Sequence, residues 1–335
     1  MAGSDHEPGF DIVSLGEAMV EFNQTGRTDD DRGGRLYLQG FGGDTSNFAI
    51  AAARQGARVA YVSALGDDPY GRLLREIWDA EGVDHAGVKT DAAACTAAYF
   101  VTHDAAGHHF SFLRNGSAAS RLTPADLPHE RIGAARMLHL SGITLAISTS
   151  ACDTAYAAID CARRAGVAVS FDTNLRLKLW PIDRARAVIS DVIAHCDLCL
   201  PSIDDIAAIT GLTQPDALID HCLRLGAKTV ALKLGDRGAI VADASGRHRI
   251  APYPCRPVDA TGAGDTFGGA FVARRIAGDD LVTAGRYAAA AAALSTEGFG
   301  AVEPIPTAAR VRAALDVAPD PGAAISSLNH PGDRS

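Results

Sequence analysis

The chain has 335 residues, 47% of them apolar and 21% charged, which excludes disorder, collagen and a disulfide scaffold as whole-chain descriptions. Its net charge of −9 argues against nucleic acid or an anionic membrane as the main partner, because both need a basic footprint. A small anionic ligand stays open, since one basic pocket can sit on an acidic protein.

Residues 1–9 carry no periodicity and read as a flexible end. The run 11–15 is the first predicted strand, and 46–55 reads as a helix ended by Gly56. A strand at 59–64 and a helix at 71–81 follow. Next come a strand at 137–140, a helix at 149–165 closed by Gly166, and strands at 167–172, 198–200 and 229–233. Helices at 182–193 and 215–225 precede the last two strands, and from Gly262 onward the chain reads as mostly helical. This repeated β-α-β order predicts an α/β fold with a mainly parallel sheet and helices on both faces. The Ala-rich run 287–294 reads as a tightly packed helix, too short to span a membrane. The tail 318–335 is rich in Pro and Gly and reads as a second flexible end.

Two stretches break this rhythm. Residues 20–39 carry no long helix, and 96–114 read as a hairpin turning at Gly107. Together they predict a small β insertion, either a lid or plain edge hairpins, beside a main domain of 10–19, 40–95 and 115–317. Seven scattered cysteines, with no basic and apolar leader, predict reduced thiols in a cytoplasmic protein. Cys196 and Cys199 are expected not to converge, because residues three apart on a strand face opposite sides. Asn115-Gly116-Ser117 reads as a turn.

The sharpest motif is Asp259-Ala260-Thr261-Gly262-Ala263-Gly264-Asp265. Gly262 and Gly264 let the backbone approach a ligand, and the following helix turns its positive end toward an anion. Asp265 would repel bound phosphate, but suits a base or a hydroxyl orienter. A plain Gly-rich turn with Asp as cap is the alternative. Gly42-Gly43 runs into a helix carrying Asn47, leaving room for a sugar-sized ligand or simply a cap by Thr45 or Ser46. Asp172, Asn174 and Arg176 follow a strand end, where ligands bind in open α/β sheets. Arg176 and Arg114 each offer a fork for a carboxylate or phosphate. Lys233 to Gly238 could hold nucleotide phosphate or form a hairpin turn, and Ser202 and Asp205 could meet a Mg²⁺–phosphate network or cap a helix. The two common nucleotide fingerprints, G-x-x-x-x-G-K-[ST] and G-x-G-x-x-G, are both missing.

In order and spacing these segments resemble the ribokinase-like carbohydrate kinases across about residues 10–315, with Ala260 in place of a usual small polar residue. The resemblance implies a central, mainly parallel sheet with a small β lid at 20–39 and 96–114. It makes Asp265 the general base, with Gly262, Ala263 and Gly264 as the anion hole. Asn174, Ser202, Lys233, Gly235, Gly238, Thr261, Gly262 and Gly264 fall to the nucleotide, and Asp205 to the metal. ATP, Mg²⁺ and a monovalent cation are the implied cofactors. The β insertion itself could serve as the surface of a homo-oligomer, or its edge could stay solvated.

Arg114-Asn115-Gly116-Ser117-Ala118 and Leu138-His139-Leu140-Ser141-Gly142-Ile143-Thr144 look like segments of 2-keto-3-deoxygluconate kinases within that family. That likeness implies a sugar acid held by Gly42, Gly43, Asn47, Tyr99, Arg114, Arg176 and Asp265. Phe112 stands where a tyrosine is common. A neutral-sugar kinase such as a fructokinase, which needs no paired arginines, and a non-catalytic sugar sensor are the alternatives.

Overall fold

The computed structural model describes residues 9–28, 34–104 and 107–317. Most of the expected flexible ends, 1–9 and 318–335, lies outside them.

The main sheet has nine strands: β1 (Phe10–Leu15), β4 (Val59–Gly66), β5 (Asp84–Asp91), β8 (Ala135–Ser141), β9 (Ala168–Asp172), β10 (Leu198–Cys199), β11 (Thr229–Lys233), β12 (Ala239–Asp243) and β13 (Gly246–Ile250). Their order is β13-β12-β11-β10-β9-β8-β1-β4-β5. From β11 to β5 every pairing is parallel. A second sheet has β2 (Met19–Thr28), β3 (Arg35–Gly42), β6 (Ala97–Asp104) and β7 (Gly107–Leu113), in the order β3-β2-β6-β7.

Helices α1 (Asp44–Arg54), α2 (Pro69–Glu81), α3 (His129–Gly133), α4 (Gly142–Ala146), α5 (Thr149–Arg164), α6 (Ile182–His195), α7 (Ile203–Thr210), α8 (Pro215–Leu225), α9 (Ala263–Ile276), α10 (Leu281–Ser295) and α11 (Ala308–Val317) complete the chain. None of them is long and apolar enough to cross a membrane.

Strand β4 shows why the sheet is covered on both faces. All eight of its residues are buried, which a strand between two helical layers requires. Alternate residues feed separate cores. Val13 and Leu15 pack with Leu138, Phe171 and Ile189, whereas Ile12 packs with Phe48, Trp78 and Phe271. The helix signals have physical counterparts too. Asp68 caps α2 by accepting from the Gly71 amide, Pro69 opens it, and Gly82 closes it at φ 68°.

Four features differ from the sequence reading. Strand β5 lacks an apolar run because it is an edge strand with Val88 alone buried. Strands β12 and β13, which the sequence reading leaves out, pair antiparallel and extend the parallel sheet; the turn before Gly238 is the β11–β12 hairpin, one of its two expected forms. Neither Thr45 nor Ser46 caps α1: Thr45 shares a hydrogen bond with the Tyr61 hydroxyl, and Ser46 accepts from the Trp78 indole. Finally, the Cys196 and Cys199 thiols do converge. Cys196 ends α6 rather than standing on a strand, so strand alternation does not govern it. Contacts with Cys196 and then Cys222, together with burial, push the Cys199 thiol upward.

Candidate active site

A cavity of about 2310 Å³ opens at the C-terminal edge of the parallel strands and is roofed by the second sheet. Two helices start at its floor, α1 and α9. They cross closely because α9 carries Gly268 and Gly269 at the contact. A Cβ at position 269 would lie 2.5 Å from the Phe48 carbonyl oxygen. Phe48 in turn stacks on the buried His139 ring of β8, with ring centroids 3.4 Å apart. This wedge sets the two helix starts side by side.

At that point Asn47 Nδ2 donates to Asp265 Oδ2 at 2.8 Å. Asp265 stands in the first turn of α9. Its carboxyl is pushed up to about 8, mainly by burial and then by the charge of Asp44, against the Asn47 hydrogen bond. A carboxyl so raised takes a proton near neutral pH, as a base in proton transfer must. Gly262 precedes the helix at φ 76°, a conformation that favours glycine. The first helical hydrogen bond runs from Thr266 to Gly262, which leaves the Gly264 and Asp265 amides without intrahelical partners. The Ala263 amide differs from the expectation of an anion hole, because it donates to the Ala260 carbonyl.

Lys233 adds a cation beside this helix start. Its Nζ lies 2.5 Å from Asp172 Oδ2 and would be 3.5 Å from a Cβ at position 264. Burial raises the Asp172 carboxyl, while Lys233 opposes the rise. Asp205, at the start of α7, is raised by burial and then by Asp172. Ser202 caps that helix and lines the cavity as well. Among the described residues no group of three or more His, Cys, Asp or Glu could hold a metal by itself. Asp205 fits Mg²⁺ in another way, because Mg²⁺ takes one or two carboxylates and completes its shell with phosphate and water.

On the opposite wall, Arg114 Nη2 forms an ion pair with Glu17 Oε2 at 2.5 Å. Glu17 is buried and also accepts from the Ser117 hydroxyl at 2.5 Å. Its carboxyl is raised by burial, with Arg114 opposing. The Arg114 Nε remains buried with no partner. Arg176 is exposed and donates to the Leu175 carbonyl.

Gly43, Asn47, Tyr99, Arg114, Asn174, Arg176, Ser202, Asp205, Lys233, Gly235, Thr261, Gly262, Gly264 and Asp265 all line this one cavity. Gly42, Gly238 and Ala263 do not. Gly42 is small because a Cβ there would lie 2.5 Å from the Tyr99 hydroxyl, and Gly238 is confined by the Ile250–Pro252 backbone. Tyr99 lines the cavity but donates its hydroxyl to Glu21. Thr261 donates to Asp259 at 2.6 Å. The sequence pointed to Asp172 only through its strand end and gave no role to Glu17 or Asp44, yet all three line the cavity.

An α/β sheet whose C-terminal edge meets a glycine-led helix start, with a carboxylate in its first turn and a β-sheet roof, is the arrangement expected of a ribokinase-like sugar kinase. The chain belongs to the pfkB family of carbohydrate kinases, whose model matches residues 10–308. Fructokinase-1 of Oryza sativa subsp. japonica is 35% identical over 312 residues, covering 90% of this chain and 96% of that protein. The 2-dehydro-3-deoxygluconokinase of Thermoproteus tenax is 34% identical over 310 residues, covering 88% and 91%. A putative ribokinase II from E. coli, solved in complex with ATP and Mg²⁺, superposes with a TM-score of 0.83 at 26% identity and covers 91% of this chain and 99% of that one.

Proposed function

We propose that this kinase phosphorylates the terminal hydroxyl of 2-keto-3-deoxygluconate with ATP. The observation that carries the reading is the presence of Arg114 and Arg176 on the cavity that also holds Asp265. Guanidinium groups recognise a carboxylate, which a neutral sugar lacks. Glu17 holds Arg114 in place, and the unpartnered Nε leaves a donor for a substrate oxygen.

In this reading Asp265 orients the attacking hydroxyl and takes its proton. The Gly262 and Gly264 amides and the positive end of α9 stabilise the transferred charge. Lys233 faces the phosphates, with Asn174, Ser202, Thr261 and Gly235 around the nucleotide. Asp205 would hold Mg²⁺, which neutralises phosphate charge when bound. A monovalent cation completes the proposed set of ions. Excluding water falls to the second sheet as a lid, supported by the cavity-lining Glu21, Leu38, Val101 and Phe110. The exposed Leu36, Leu38 and Leu113 on that sheet support a homo-oligomer, which solution scattering would detect. Seven unpaired thiols support a cytoplasmic site of action.

One observation favours a neutral sugar instead: Glu17 already offsets the Arg114 charge. An ADP-release assay across 2-keto-3-deoxygluconate, fructose and ribose decides between them. The highest kcat/KM is expected for the sugar acid, and a preference for fructose overturns the proposal.

A further inference from the structure

Arg54 ends α1 and has no part in the mechanism above, although it is largely buried and lines the same cavity. Its guanidinium faces two ways. One edge holds Glu81 at the end of α2, with Nε donating to Oε2 at 2.8 Å and Nη2 to Oε1 at 2.7 Å. The remaining nitrogen, Nη1, donates to the Val302 carbonyl at 3.2 Å, to the Glu303 carbonyl at 3.3 Å and to the Ile305 carbonyl. A planar guanidinium can serve two directions at once, which an ammonium cannot do with the same geometry.

The segment held by Nη1 is the one that packs on the start of α9. The Gly300 amide donates to Asp259 Oδ2 at 3.0 Å. Asp259 Oδ1 in turn accepts from the Thr261 amide at 2.9 Å and the Thr261 hydroxyl at 2.6 Å. A Cβ at position 262 would lie 2.8 Å from the Ala301 carbonyl oxygen, so the two backbones touch. Gln55, beside Arg54, adds a second hold. Its Nε2 donates to the Pro306 carbonyl at 2.8 Å, and its Oε1 accepts from the Tyr287 hydroxyl at 2.8 Å. Residues 300–306 are thus anchored to α1 on one side and set the turn 259–262 on the other. A staple between α1 and α2 needs only the edge that faces Glu81. The three carbonyl contacts call for a further role.

We propose that Arg54 is a positioning residue for phosphoryl transfer: it holds residues 300–305 against Gly262 and so fixes where the Gly264 and Asp265 amides point. Asn47 ties the start of α1 to Asp265, and Arg54 ties its end to the turn before Asp265. The proposal rests on the reading of those amides as the phosphate site, and not on which sugar is phosphorylated.

The test is Arg54→Ala, with turnover and binding read separately on whichever sugar the ADP-release assay selects. A small displacement of positioned groups is expected to lower kcat by about 10- to 100-fold. KM for the sugar and calorimetric binding of ATP should stay near the wild-type values. Binding of ADP with aluminium fluoride and the sugar, a mimic of the transferring phosphoryl group, should weaken by a similar factor, because amides aimed at the transition state act least on the ground state. Arg54→Lys should recover only part of the loss. Glu81→Gln leaves the carbonyl contacts in place, so it should lower the melting temperature and keep kcat near the wild type. If Arg54→Ala fails to fold, Arg54→Lys is set against Glu81→Gln in the same measurements. An unchanged kcat, equal weakening of the ATP and aluminium fluoride complexes, or an equal kcat loss in Glu81→Gln overturns the proposal. Gly262→Ala separates the two readings. Normal turnover in that variant removes the phosphate-site reading and the proposal with it, whereas a slow Gly262→Ala beside a normal Arg54→Ala removes the proposal alone.

Discussion

Asn47 and Asp265 lie 218 positions apart in sequence and 2.8 Å apart in space. The hydrogen bond joins the starts of α1 and α9, so the position of the carboxylate depends on how those helices cross. Asp265 also lines the cavity. The contact favours the ionised carboxylate, whereas burial and Asp44 favour the protonated form.

Asp265→Asn is expected to lower kcat by about 10²- to 10⁴-fold, the usual worth of a positioned acid or base. ATP should bind as before, because no nucleotide contact is assigned to the carboxylate. Single-turnover phosphorylation and calorimetry measure the two separately. Near-normal turnover would remove Asp265 from the mechanism.

The raised Asp265 carboxyl also predicts two pH effects. As a base it must be ionised, so kcat/KM should rise with pH and level off above about 8. Its folded value lies above the ordinary 3.8, so it contributes stability that is full below about pH 4 and is lost as pH rises through about 8. Asp265→Asn should therefore be more stable than the wild type at pH 9, with the difference closing toward pH 4. Denaturant melts across that range check the sign.

Arg176→Ala should raise KM for the sugar acid by about 10- to 100-fold, with little change for a neutral sugar. The basis is the loss of one charge-assisted hydrogen bond. Steady-state kinetics on both substrates read the split, and an equal change on the two would assign Arg176 a structural role.

Gly269→Ala tests the helix crossing. The added Cβ would lie 2.5 Å from the Phe48 carbonyl oxygen and 2.8 Å from the Ala51 Cβ. Overpacking of this kind costs about 1–3 kcal/mol. Because Asn47 is on the displaced helix, kcat should fall as well. A variant with unchanged melting and turnover would show that the crossing has slack.

Legibility in the sequence followed the range of the signal. The glycines around Thr261 and the helix after them are read locally, because a helix start and its glycine-led turn are set by neighbours in the chain. The alternation of strands and helices is likewise a local period, and it yields the parallel sheet. The hairpin from Lys233 to Gly238 gave two readings, and the structure shows it both joining β11 to β12 and lining the cavity through Lys233 and Gly235.

Fold class, enzyme family and the one motif that carries Asp265 are local in the chain and are read from it directly. Which partner each charged group meets depends on packing between distant segments. Arg114 pairs with Glu17, Lys233 with Asp172, and Asp44 with Asn174, across separations that no local period encodes. Cys196, Cys199 and Cys222 likewise meet only because a helix end, a strand and a second helix pack together. Burial completes the difference. A carboxylate is the same letter everywhere in the chain, and its proton affinity is set by the water it loses and the charges folded against it.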